Sequence, residues 1–227
     1  MIMRLLGLSF AATAVVSSAA IAAPQHERLR GIVSAVSANQ LTLRTATGEI
    51  SLSLDGTKYL TTVSSSLNDI AANSYIGVAT KDVGSEQVAL DVIIFPPAMK
   101  GAAEGHFGWD RLPDTTLAGG AATASSMTNG SVAVAQGGST AATDSSMTNG
   151  SVAAASDSNG ARKLTVTYKG GRQKILVPPT ASVVTMQFGA VSNIKPGDGV
   201  FVNAVADGGT TTAGLIIIGT SGAVPPI

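Results

Sequence analysis

The chain has no cysteine, which excludes disulfides, thiolate catalysis and Cys-based zinc sites and leaves the redox compartment undetermined. Aromatic residues make up only 4% of its 227 residues, with a single tryptophan, so a core must be built mainly from Val, Ile and Leu. That composition favours short β-strands over thick helices. Charged residues are 12% of the chain and sum to zero, so no general attraction to nucleic acid or to an anionic membrane is expected. The nucleophile elbow, the phosphate-binding P-loop and the paired-histidine zinc motif are all missing. With His26 and His106 the only imidazoles, a Ser-His system has few possible bases, so no catalytic residue is assigned and a non-enzyme is expected.

What is present begins with MIMRLLGLSFAATAVVSSAAIAAPQ: a basic start at Arg4, an apolar middle and small residues at Ala20, Ala22 and Ala23 ahead of Pro24. This pattern predicts a signal peptide over 1–23 and a periplasmic or secreted mature chain. The alternative is a retained anchor, since about 19 apolar residues just span a bilayer. No later stretch is apolar enough to span, so no transmembrane span is expected in the mature chain.

GIVSAV (31–36), QLTLRT (40–45) and EISLSL (49–54) alternate apolar and polar residues between turn-prone stretches, as strands with one buried face do. Ser66 to Ala72 fits one helical turn, and YIGVAT (75–80) and VALDVIIF (88–95) fit two more strands. The order then recurs. LTVTYKGGRQKILV (164–177) aligns with residues 41–54 at an offset of 123, and NIKPGDGVFVNA (193–204) and AGLIII (213–218) align with 69–80 and 89–94 at an offset of 124. Apolar parity is kept, so the chain carries an internal repeat of about seventy residues, too long for a solenoid unit.

Five strands with a helical turn between the third and fourth is the order of the OB-fold. The expectation is an all-β protein with two tandem OB-like five-stranded barrels, a generic β-barrel or sandwich being the alternative. The expected bounds are 28–98 for the first unit, 99–146 for an interdomain segment and 147–222 for the second unit.

The phrase SSMTNGSVA occurs at 125–133 and again at 145–153, within twenty-residue blocks identical at thirteen positions. The second copy stands where the first strand of the second unit belongs. On this alignment the first copy is surplus, a Gly/Ser/Ala-rich linker.

Two stretches can carry binding chemistry. In AEGHFGWD the only tryptophan, Trp109, is accompanied by Glu104, His106 and Asp110. Imidazole with two carboxylates suits a divalent metal such as zinc. The plainer account is that Trp109 and Phe107 plug a crevice between barrels. In RKLTVTYKGGRQK, a Gly170-Gly171 type I′ turn would pair Lys169 with Arg172 and Thr167 with Lys174. That register sets Lys169, Arg172 and Lys174 on one face, with Lys163 alongside. Such a face suits an anionic glycan, a lipid headgroup or an acidic envelope protein, and equally a solubilising edge.

The segments LRGIVSAVS, LTLRT, LNDI, VIIFPPAM, AEGHFGWD, MTNGSV, LTVTYKGGRQKILVPP and the terminal VPPI together resemble a family of bacterial secreted proteins with paired OB-like domains of unknown function. Some relatives carry the label metal ABC transporter permease, which does not suit a chain lacking several spanning helices. The resemblance implies fold and compartment and no established activity. The function expected is an exported, non-enzymatic binding or interaction module for an anionic ligand, with a metal-handling accessory protein as the alternative.

Overall fold

The computed structural model describes residues 23–117, 120–137, 160–219 and 225. The leader over 1–22 and the second SSMTNGSVA therefore lie outside the described residues. The fold is all-β, with fifteen strands and three single 3₁₀ turns among those residues. No described helix is long and apolar enough to cross a membrane.

The first half supplies β1 (Gln25–Val36), β2 (Gln40–Thr45), β3 (Gly48–Ser53), β4 (Lys58–Ser64), β5 (Tyr75–Val83) and β6 (Glu86–Ile94). A middle stretch follows with β7 (Gly105–Gly108), β8 (Leu112–Pro113) and β9 (Ala122–Thr123). The second half supplies β10 (Ser126–Gly137), β11 (Arg162–Tyr168), β12 (Gly171–Val177), β13 (Ser182–Phe188), β14 (Gly199–Asp207) and β15 (Thr210–Gly219). All but β8 and β9, which pair with each other, belong to one large sheet of thirteen strands.

The ladders of that sheet close into two circuits. In the first, β1, β2 and β3 from the first half run on to β15 and β14 from the second, and β14 pairs back to β1 over Gln25↔Ala206 to Ile32↔Gly199. In the second, β10, β11 and β12 run on to β6 and β5, and β5 pairs back to β10 over Ser126↔Thr80 to Ser131↔Tyr75. Each circuit thus takes three strands from one half of the chain and two from the other. A seam joins them: β4 pairs antiparallel with β13, β4 runs parallel to β15, and β13 runs parallel to β6.

This corrects the expectation of two units contiguous at 28–98 and 147–222, because the ladders cross that division. The cause is β4 and β13, which sequence alternation does not mark as strands. Each has seven residues, and at roughly 3.3 Å per residue an extended strand of that length carries the chain about 20 Å, far enough to leave one circuit for the other.

A second correction concerns the repeated phrase. The first copy, expected as linker, forms β10, with Met127, Thr128, Asn129 and Val132 all buried. Its neighbours are β5 on one edge and β7 followed by β11 on the other.

Three apolar clusters follow from this topology. Val33, Leu41, Leu43, Leu52, Val202 and Ile216 fill the first circuit, and Ile76, Val78, Val132, Leu164, Val166 and Ile175 fill the second. Leu60, Ile93, Met127, Met186, Phe201 and Ile217 pack between them.

Candidate binding cavity

Strand alternation places the site. On β14, Val200 and Val202 point into the first circuit, so Phe201 and Asn203 point out of it; on β15, Ile216 and Ile218 point in, so Leu215 and Ile217 point out. On β6, Val92 points into the second circuit and Ile93 out. These outward faces meet Leu60, Met127 and Met186 around a cavity of about 1000 Å³ between the two circuits. Such a volume is at the upper end of small-molecule sites. The missed signal was the runs Val92 to Phe95 and Leu215 to Ile218, which are apolar at every position and so imply strands covered on both faces.

The stretch from Met99 to Arg111 closes one side, contributing Met99, Phe107, Trp109, Asp110 and Arg111. Its path is fixed by β5 and β10. The Tyr75 hydroxyl donates to the Ala102 carbonyl at 2.6 Å, and Asn129 Nδ2 donates to the Ala103 carbonyl at 3.0 Å. Between these anchors Ala103 adopts a left-handed φ of 48°, a costly conformation for a residue with a Cβ. Beyond β7, the Trp109 amide donates to the Ser125 carbonyl at 2.8 Å and the Ser125 hydroxyl donates to the Asp110 carbonyl at 2.6 Å.

Charge gathers where this stretch meets β1. Arg28 and Arg30 donate to the two carboxylate oxygens of Asp110 at 2.9 and 2.8 Å. Burial alone would raise the Asp110 carboxyl, but hydrogen bonds and charge from Arg30 and Arg28 outweigh it and hold the group below the ordinary carboxylate range. The Arg28 guanidinium also lies 4.0 Å from the Trp109 ring centroid, and that of Arg30 lies 5.1 Å from Phe201, both within cation–π range. His26 and Glu27 on β1 complete the polar part of the lining. Trp109 Nε1 and Asn129 Oδ1 are buried without a hydrogen-bond partner among the described residues, which is costly for polar atoms. Asp91 on β6, also near Arg30, is pushed up to about 6 by burial, with the Arg30 charge acting in the opposite direction.

The three residues proposed as metal ligands do not gather. Asp110 is held by Arg28 and Arg30, Glu104 Oε1 accepts from the Lys169 amide at 3.1 Å, and His106 Nδ1 is hydrogen-bonded to Thr128 Oγ1 at 2.9 Å. The His106 ring also stacks on Tyr168. Among the described residues no group of three His, Asp or Glu side chains is placed to hold a metal ion. Glu104, His106 and Asp110 are spaced two and four residues apart along an extended stretch, roughly 7 and 13 Å at about 3.3 Å per residue, and each meets a different neighbour.

The basic hairpin forms with its turn one residue earlier than expected, which shifts the cross-strand pairing by two residues. Thr167 faces Arg172, Tyr168 faces Gly171 and Thr165 faces Lys174, so Lys169 and Gly170 are the turn. Gly170 takes the left-handed position with φ of 102°, while the Tyr168 ring lies over Gly171, where a Cβ would stand 3.0 Å from the hydroxyl oxygen. That contact holds Gly171 in the strand. Lys163, Arg172 and Lys174 share the exposed outer face, Lys169 is exposed at the turn, and none of the four lines the cavity. Of the expected binding residues, Trp109 alone is at the cavity.

No family model matches the chain, and no curated protein or solved structure matches it significantly.

Proposed function

We propose that this chain is an exported, non-enzymatic binding module that takes a small amphiphilic molecule in the cavity between its two circuits. The observation that carries this is the lining: apolar side chains from seven strands surround about 1000 Å³, while the charged groups are confined to β1 and the Asp110–Arg111 stretch. An apolar body fits the first part and a polar head the second. The three lining methionines, Met99, Met127 and Met186, suit a site that adapts to different apolar shapes. Export rests on the leader-like first 23 residues.

Each circuit follows the order first, second, third, fifth, fourth and back to the first, with parallel contact between third and fifth. We read each as an OB-like barrel completed by exchange of its last two strands between the halves. The resemblance to secreted proteins with paired OB-like domains supports the same account.

Titration calorimetry with dodecanoate and with dodecan-1-ol tests the site. Dodecanoate is expected to bind one-to-one in the micromolar range, about −8 kcal/mol, and Leu215→Trp, which fills the cavity, is expected to weaken it at least tenfold. Tighter binding of dodecanoate than of the alcohol supports an anionic head beside Arg28. Absence of binding by both would overturn the proposal.

A further inference from the structure

A second cavity, of about 430 Å³, lies against the first circuit and shares no lining residue with the larger one. Leu41 and Leu52 are buried inside that circuit, so alternation turns their neighbours Gln40, Ser51 and Ser53 outward. The facing wall is β15, which meets β3 at the pair Thr212↔Ser53. Two residues back along each strand, Ser51 and Thr210 are no longer paired, and the cleft opens between them. Thr211 and Asn39, the latter on the β1–β2 connection, complete the polar lining.

Both rims are held in place. The Leu54 amide donates to the Asn39 carbonyl at 3.0 Å, and the Ser37 amide donates to the Gln40 carbonyl at 2.8 Å. The β14–β15 hairpin turns on Gly208 and Gly209, both left-handed with φ of 55° and 84°, the two-residue turn that matches strand twist. A ligand therefore meets walls that are already ordered, which lowers the cost of binding.

The lining dictates the chemistry of the ligand. Among the described residues none that lines the cleft is charged or aromatic, so a carboxylate, phosphate or ammonium finds no counter-charge and an apolar body finds no apolar wall. The side chains of Asn39, Gln40, Ser51, Thr210 and Thr211 make no hydrogen bond to the described residues. Hydroxyls and amides both donate and accept, as the hydroxyls of a sugar do.

The second circuit shows that this lining is not required by the strands. Gln40↔Ser53 and Ser53↔Thr212 correspond to Lys163↔Leu176 and Leu176↔Val88. On the same alignment Ser51 becomes Lys174 and Thr210 becomes Glu86. One strand geometry thus carries charges in one circuit and only neutral polar groups in the other.

We propose that the cleft between β3 and the β14–β15 hairpin binds an uncharged oligosaccharide through Asn39, Gln40, Ser51 and Thr210. This stands whether or not the larger cavity binds an amphiphile.

Amide NMR spectra of the full chain, titrated with maltotriose, cellotriose or triacetylchitotriose to about 20 mM, test the site. At least one of these is expected to shift the amides of Asn39, Ser51 and Thr210 with a Kd in the millimolar range, and the anionic trigalacturonate is not. Gln40→Lys/Ser51→Lys/Ser53→Leu installs the second circuit's residues in the same strand geometry, so its melting midpoint should stay near the parent's while affinity falls at least about tenfold. Asn39→Ala, which alters no strand, is expected to weaken binding in the same direction. The proposal is overturned if none of the neutral sugars shifts those amides, if trigalacturonate binds as tightly, or if both variants bind like the parent.

Discussion

Arg28 and Asp110 meet at 2.9 Å across 82 residues of sequence, and the same guanidinium covers the face of Trp109. This contact, with Arg30 on the other carboxylate oxygen, ties the stretch closing the cavity to β1. Asp110→Ala is expected to cost about 1 kcal/mol, the upper range for a solvent-accessible pair, and to lower the midpoint by roughly 2–4 °C. Because the folded carboxyl lies below its unfolded value, the ion pair contributes fully above the ordinary carboxylate pKa near 4 and is lost as pH falls through the lower folded value. Melting curves of parent and variant should therefore converge on acidification. A constant gap down to the lowest pH that permits folding would contradict this.

Asp91 has the opposite sign. Its folded carboxyl is pushed up to about 6 by burial, against an unfolded value near 4. Between those values the folded chain keeps a proton that the unfolded chain has released, so stability falls as pH rises through this window. At neutral pH the buried charge costs on the order of 2–3 kcal/mol. Asp91→Asn should raise the melting midpoint at pH 7.5 and leave it nearly unchanged at pH 4. A loss of stability at pH 7.5 would show that the carboxylate is needed in its charged form.

Gly77 on β5 is fixed by packing rather than by backbone angle. A Cβ there would stand 2.6 Å from Asn129 Oδ1 and 3.0 Å from Phe95 Cε2. Gly77→Ala is expected to destabilise by about 1–3 kcal/mol, as overpacking does. It should also shift the emission of Trp109, the only tryptophan, because Asn129 holds the Ala103 carbonyl in the same stretch. Chemical denaturation followed by that emission measures both effects, and an unchanged midpoint would exclude the tight packing.

Strands buried on one face were legible because alternation reports a single covered face. QLTLRT is β2 residue for residue, with Leu41 and Leu43 fully buried. β4 and β13 were not legible because they are covered on both sides: Leu60, Thr61 and Thr62 are consecutive buried residues, as are Val183 and Val184. Thr62 reads as polar, yet its hydroxyl donates to the Ile218 carbonyl within the seam. The crossing of strands left no mark either, since both halves present the same apolar parity and either can close either circuit. Trp109 was marked by its rarity. The rest of the cavity is assembled from single outward residues such as Ile93, Phe201 and Leu215, which no local pattern connects.

The exchange of strands between the two halves can be read directly by crosslinking, because the chain has no cysteine of its own. Gln25 on β1 faces Ala206 on β14, and Asp82 on β5 is the repeat equivalent of Ala206 at the offset of 124. Opposed residues in an antiparallel pair lie about 4.5–5.5 Å apart at Cα, within disulfide range. Under mild oxidation of the folded monomer, Q25C/A206C is expected to close an intramolecular disulfide and Q25C/D82C is not. Crosslinking of Q25C/D82C with none in Q25C/A206C would mean that each half closes on itself, contradicting the exchanged circuits on which the cavity depends.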